Sequence, residues 1–163
     1  TWLASKPELI INIYGSFNDK KWLDHFPPNF HYQGKVNPDE LPAVLKGSFG
    51  IIWDSDNLQT CTGTLGNYLR YNTPHKLSLY LAACLPVIVW NESAMADWVK
   101  TNAVGIAVSS WDDAVSQIKA MQQSTYEGLH QNACSFGKKV RSGYYINNIL
   151  EKVEAFANIN HPA

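Results

Sequence analysis

Residues 71–90 read Y-N-T-P-H-K-L-S-L-Y-L-A-A-C-L-P-V-I-V-W, and no other run limits the possible folds as much. Thr73 is a capping residue type, and Pro74 suits the first helical position, where a missing N–H costs nothing. Leu77, Tyr80, Leu81 and Cys84 then recur at helical spacing. Pro86 stops that helix, and Val87, Ile88, Val89 and Trp90 read as a short strand buried on both faces. A helix delivering such a strand is half of a parallel crossover. Its N-terminus carries His75 and Lys76. Backbone N–H groups and a cation together attract anions, and the reading is that this end holds the phosphates of a nucleotide.

The rest of the chain alternates in the same way. Strands are expected at 9–14, 30–36 (broken by Gly34), 49–53 and 105–108. Helices are expected at 19–25, 37–45, 92–102, 111–121 and 124–141, followed by a stripe of Tyr145, Ile146, Ile149, Leu150, Val153 and Phe156. Asn37-Pro38-Asp39-Glu40 and Ser124-Thr125-Tyr126-Glu127 have the form of helix starts, and Ser110 that of a cap. In the helix at 92–102, Ala94, Met95, Trp98 and Val99 are expected inward. Residues 54–72 lack a period and are rich in Asp, Asn, Thr, Gly and Tyr. They read as a cleft-shaping loop with a helical turn near 66–71. The fold expected is α/β, a doubly wound parallel sheet in three layers, α/β/α. Residues 1–8 read as a linker or the tail of a missing N-terminal domain, 9–156 as the binding domain, and 157–163 as a tail.

Composition narrows the function. A chain of 163 residues with net charge −1 has no electrostatic case for nucleic acid or an anionic membrane. No apolar run approaches the roughly 20 residues of a membrane span. Cys61, Cys84 and Cys134 are odd in number and sit in dissimilar settings, which fits reduced thiols in a cytoplasmic protein better than a disulfide frame. Cys61 and Cys84 read as small buried hydrophobes. There is no G-x-G-x-x-G, G-x-x-x-x-G-K-[ST], G-x-S-x-G or H-E-x-x-H, and no paired Cys-x-x-Cys, so NAD enzymes, P-loop NTPases, α/β-hydrolases and zinc proteases lose ground.

In doubly wound sheets, ligands bind beyond the carboxyl ends of the strands. Gly15-Ser16, Gly34-Lys35, the loop from Asp54 and Trp90-Asn91 all fall there. Lys76 is the sharpest candidate: a lysine at a helix N-terminus opposes the dipole unless an anion is near. His75 reads equally as a phosphate contact or as a capping or packing residue. Gly15 and Ser16 are either donors to phosphate or a plain strand-ending turn. Tyr71 and Asn72 can reach ribose or phosphate, or merely build the loop. Asp54, Asp56 and Arg70 read as charges that fix the loop through ion pairs.

The run P-H-K-L-S-L-Y-L-A-A-C-L-P-V-I resembles the P-x-K-x-x-E-Y-x-A-x-G-x-P-V signature of the donor-binding half of GT-B glycosyltransferases. With N-Y-L-R-Y-N-T-P-H-K before it, the stretch resembles the glucosyltransferases that extend sugars on serine-rich-repeat adhesins, a group often labelled β-1,6-galactofuranosyltransferases. The resemblance covers 9–156 and is tightest over 49–90. It implies a Rossmann-like half-domain. The donor would be a uridine diphosphate (UDP) sugar, foremost UDP-glucose, and the acceptor a glycan on an adhesin. Lys76 would neutralise the diphosphate in place of a metal, with no cofactor required. Gly34, Lys35 and Val36 fall where the family reads the base through its main chain, and Tyr32 is either a ring stacked on that base or a buried strand tyrosine. The family Glu that binds ribose falls on Leu79, with Ser78 or Asn72 as substitutes, and the family Gly before the strand falls on Cys84. The resemblance also implies a partner N-terminal domain, oligomers, and no transfer by this piece alone. An epimerase half-domain and a non-catalytic interaction domain that stabilises a partner glycosyltransferase are the rival readings.

Overall fold

The computed structural model describes residues 2–16 and 25–160, with side chains to 157. The chain divides into two compact units, Thr1–Ser48 and Phe49–Ala163. Among the described residues all strand pairing is parallel, in two small sheets flanked by helices, as expected for a Rossmann-like α/β chain.

The first unit holds β1 (Ile11–Tyr14), β2 (Phe30–Gly34) and α1 (Leu41–Val44), after a 3-10 turn at Leu3–Ser5. β1 pairs with β2 from Ile11 opposite Phe30 to Tyr14 opposite Gly34, with a register shift between Ile13 and Tyr14. The Asn29 side-chain amide donates to the Leu3, Lys6 and Leu9 carbonyls and ties the leading turn to the strand start. Asn37 bonds the Asp39 N–H as expected of a start signal, yet α1 itself begins only at Leu41. The helix expected at 19–25 lies outside the described residues except for His25.

The second unit carries β3 (Gly50–Ile52), α2 (Gly63–Tyr68), α3 (His75–Ala82), β4 (Val87–Trp90), α4 (Ala96–Thr101), β5 (Gly105–Val108), α5 (Trp111–Ala120), α6 (Gln123–Arg141) and α7 (Tyr144–Asn160). The sheet order is β3-β4-β5. β4 is central, and all four of its residues are buried. Val87 and Val89 pack on one side with Leu77 and Leu81 of α3, Val99 of α4 and Ala133 of α6. Ile88 packs on the other with Val108 and Ala114 of α5. Alternation along an extended chain thus puts helices on both faces, the three-layer arrangement expected.

Several local expectations give way to better-satisfied alternatives. Pro74, extended at φ −62° and ψ 145°, is the N-cap of α3, and Thr73 makes no capping bond. The Pro74 carbonyl takes the Leu77 N–H at 3.0 Å. The pattern at 124–127 is not a capping box: α6 starts at Gln123, and Glu127 accepts from the Gln123 side chain at 3.0 Å. Ser110 does cap α5, accepting from the Asp113 N–H at 3.1 Å. The helix expected at 92–102 is formed only over Ala96–Thr101; across it and its lead-in Met95, Ala96 and Val99 are buried, whereas Ala94 and Trp98 are exposed.

The cysteines depart furthest. Cys84 and Cys134 form a disulfide, while Cys61 is the buried free thiol expected of a small core residue. Cys84 follows α3 with φ +61°, a left-handed backbone that favours glycine. That is the physical reason a glycine fits this position in the signature. Closing a loop of 50 residues stabilises the native chain by about 4 kcal/mol in the chain-entropy account. Among the described residues no helix is long and apolar enough to cross a membrane.

Candidate functional site

The site residues fall into two groups, one in each unit. In the second unit the feature is the N-terminal end of α3. No side chain caps this helix, and with the Leu77 N–H taken by the Pro74 carbonyl the N–H groups of His75 and Lys76 are left to solvent or a ligand. His75 and Lys76 are both exposed there. The anion that the lysine position demanded is supplied within the chain: Lys76 Nζ pairs with Asp54 Oδ1. Asp54 lies two residues beyond β3, so the parallel order of β3 and β4 brings it to the carboxyl edge where α3 begins. The side chains of the pair keep 45% and 30% of their exposure. An exposed pair of this kind contributes roughly 0.2–1 kcal/mol, so exchanging Asp54 for a phosphate costs little.

Asp54 shapes its other neighbours too. Burial pushes the Cys61 thiol up to about 11, with the negative charge of Asp54 adding to the shift and a backbone hydrogen bond at Asp54 opposing it. Burial likewise raises the Tyr80 phenol, and Asp54 adds to it. Neither group is a nucleophile at neutral pH.

Arg70 does fix the loop, as its charge suggested. Its guanidinium lies 2.5 Å from Glu92 Oε2 and 4.6 Å from the centre of the Trp90 ring. The Ala94 N–H donates to the Leu69 carbonyl at 2.9 Å, and Ser93 Oγ donates to the Trp90 carbonyl at 2.7 Å. The segment before α3 is therefore stitched to the β4–α4 connection. Tyr71, 83% exposed, stands out from this edge. Asn72 is half-buried, and its N–H is taken by the Tyr68 carbonyl. Leu79, in place of the family Glu, is half-buried on α3.

In the first unit, Gly15 and Gly34 end β1 and β2 with φ +132° and +82°. Both are backbone conformations that glycine adopts at low cost. A Cβ at either would meet nothing within 4 Å, so the backbone there is open to an approaching group. The Gly15 N–H, however, donates to the Gly34 carbonyl at 2.9 Å. Its own carbonyl accepts from the Tyr32 hydroxyl at 2.7 Å. Tyr32 thus links the ends of the two strands. Ser16 and Lys35 are exposed, and Val36 is half-buried.

Sequence reasoning put Lys76 at the start of this helix, where it lies, but did not foresee its pairing with Asp54. The signal was available: a carboxylate just past a strand that precedes a crossover sits at the same sheet edge as the next helix start. The contact of Arg70 with Trp90 and Glu92 had no such signal, because it joins two loops.

Comparison with known proteins identifies the family. The family described as "Glucosyltransferase 3-like, C-terminal domain" matches residues 1–153. The β-1,6-galactofuranosyltransferase WbbI of Escherichia coli is 38% identical over 133 residues, which is 76% of this chain and 40% of that protein. Glucosyltransferase 3 of Streptococcus parasanguinis is 30% identical over 128 residues, 76% of this chain and 36% of that protein. The protein of the same name from Streptococcus gordonii is 26% identical over 123 residues. The matches thus span about two fifths of these relatives. By the reach of the family match, the chain belongs to the glucosyltransferase 3-like family and corresponds to its C-terminal domain.

Proposed function

We propose that this chain is the donor-binding domain of a hexosyltransferase, gripping the diphosphate of a UDP-sugar at the N-terminal end of α3. UDP-glucose is the favoured donor, and the acceptor is a glycan, such as one carried by a serine-rich adhesin. The observation that carries the reading is an uncapped helix start bearing an exposed Lys76 that pairs, among the described residues, with Asp54. On donor binding the ammonium leaves Asp54 for the diphosphate. It then offsets the charge that develops on the leaving group as the glycosidic bond breaks. The helix end adds its N–H groups and dipole. His75, Tyr71 and Asn72 are assigned to phosphate and ribose from their places beside this end. Gly15, Ser16, Tyr32, Gly34, Lys35 and Val36 are assigned to the nucleotide from the family resemblance, with Tyr32 acting through its hold on Gly15.

The catalytic base and acceptor site are assigned to the part of the longer protein that the relatives possess outside the matched region. The isolated chain is accordingly expected to bind UDP weakly and to transfer no sugar. Chemical-shift mapping with UDP tests the reading: the amides of His75, Lys76 and Leu77 should move most. Shifts confined to other elements would refute it.

One observation favours a second role. Tyr145, Ile146, Ile149, Leu150, Val153 and Phe156 on α7 are each 42–70% exposed. Such a stripe suits an interaction surface, so an interaction domain without its own catalysis is the reading to prefer if no UDP-sugar binds.

A further inference from the structure

The C-terminal end of α3 is held against α6 by a set of contacts that the donor reading does not use. Gly137 lies so close beneath the Leu81 carbonyl that a Cβ would come within 2.1 Å of it. Arg141 Nη1 donates to the Ala82 carbonyl. One turn earlier on α6, Cys134 is bonded to Cys84. Positions 134, 137 and 141 share one face of the helix, so the disulfide is the last of three ties in a row. Both cysteines are only half-buried and within reach of a small reagent. Cys61, in contrast, is 2% exposed and lies outside this contact. His130, one turn before Cys134, places Nε2 at 4.0 Å from its Sγ.

We propose that Cys84 and Cys134 form a reversible thiol–disulfide exchange site, closed by a low-molecular-weight disulfide such as glutathione disulfide and opened by a dithiol. In closing, His130 takes the proton from Cys134, and the thiolate attacks one sulfur of the small disulfide. The S–S bond of the reagent breaks, one thiolate leaves, and Cys134 carries a mixed disulfide. The Cys84 thiolate then attacks the Cys134 sulfur, expelling the second small thiolate and forming the Cys84–Cys134 bond. Two electrons pass from the two cysteines to the reagent, and the two protons end on the two small thiols. Only a thiolate is an effective attacking species, and the imidazole beside Cys134 makes Cys134 the attacking residue. Closing pins the end of α3 to α6. Opening leaves the Gly137 and Arg141 contacts and the apolar packing of Leu81 with Ala133 to hold it.

The test is thiol titration of the denatured chain after incubation with glutathione disulfide or with dithiothreitol, combined with thermal unfolding of both forms. The expected result is one titratable thiol in the oxidised chain and three in the reduced chain. The melting midpoint of the oxidised form should be higher by on the order of 10 °C. Three thiols after oxidation, or a midpoint indifferent to dithiothreitol, would overturn the proposal. Cys84→Gly keeps a residue suited to the left-handed backbone and should fold, with a glutathione adduct accumulating at Cys134 because nothing resolves it. Absence of that adduct contradicts the assigned order of attack. His130→Gln should slow closure several-fold and leave the final thiol count unchanged. An unchanged rate removes His130 from the exchange.

Discussion

The two units of the chain are stabilised in different ways. In Phe49–Ala163, β4 is covered on both faces, and Trp90, Ile52, Leu69, Val87, Val89, Val99, Val104 and Val108 are among its fully buried side chains. Among the described residues of Thr1–Ser48 none is fully buried: every residue of β1 is half-buried, and β2 alternates between half-buried and exposed. That unit is held by a strand ladder and by polar side chains bonded to backbone, such as Asn29, Tyr32 and Tyr14. Tyr14 Oη donates to the Val44 carbonyl and accepts from the Lys46 N–H. Apolar burial supplies roughly 25 cal/mol per Å², whereas a hydrogen bond nets about 1 kcal/mol. Truncations should therefore be costly in one unit and mild in the other.

The largest expected effect is in the core of the second unit. Leu81→Ala, at 3% exposure between sheet and helices, should cost about 2–5 kcal/mol in urea unfolding, while Ile13→Ala in β1 should cost markedly less. Equal losses would erase the contrast between the units. Next is Gly137→Ala, which forces a Cβ against the Leu81 carbonyl. Overpacking of this kind typically costs about 1–3 kcal/mol, read as a lower melting midpoint. In the first unit, Tyr32→Phe removes the bond to the Gly15 carbonyl and should cost about 1 kcal/mol. Faster amide exchange at the β1–β2 pairing is the accompanying readout.

The smallest effect concerns pH. The Asp113 carboxyl is held below its usual range, first by the Ser109 N–H and then by the Gln117 side chain. Its contribution is therefore present above the unfolded carboxylate value, about pH 4, and is lost as pH falls through the lower folded value. Asp113→Asn should lower the melting midpoint slightly at pH 7, and the difference from the parent chain should vanish in acid. A difference that grew on acidification would reverse the assigned sign.

Much of the second unit was legible in the sequence. Val87–Trp90 and Gly105–Val108 are strands with the bounds their apolar runs suggest, because neither run contains a polar position to blur its limits. Residues whose partners lie far along the chain were not legible. The pairing of Cys84 with Cys134 depends on how α6 crosses α3, and the left-handed turn at Cys84 depends on how tightly α3 returns to β4. Neither follows from local spacing. The start of α3 was misread by one residue, since threonine and proline both favour a helix start and only the backbone decides which one caps. At the site, Lys76 was legible because a cation opposing a helix dipole is an anomaly in the sequence itself. The Arg70–Glu92 pair was not, because both residues are ordinary loop charges.

The central claim is that the ammonium of Lys76 moves from Asp54 to a diphosphate. The most direct measurement is the UDP dissociation constant, by calorimetry, of the parent chain, Lys76→Ala and Asp54→Asn. Loss of binding in Lys76→Ala together with tighter binding in Asp54→Asn, where the competing carboxylate is gone, is the predicted result. Unchanged affinity in Lys76→Ala would contradict it.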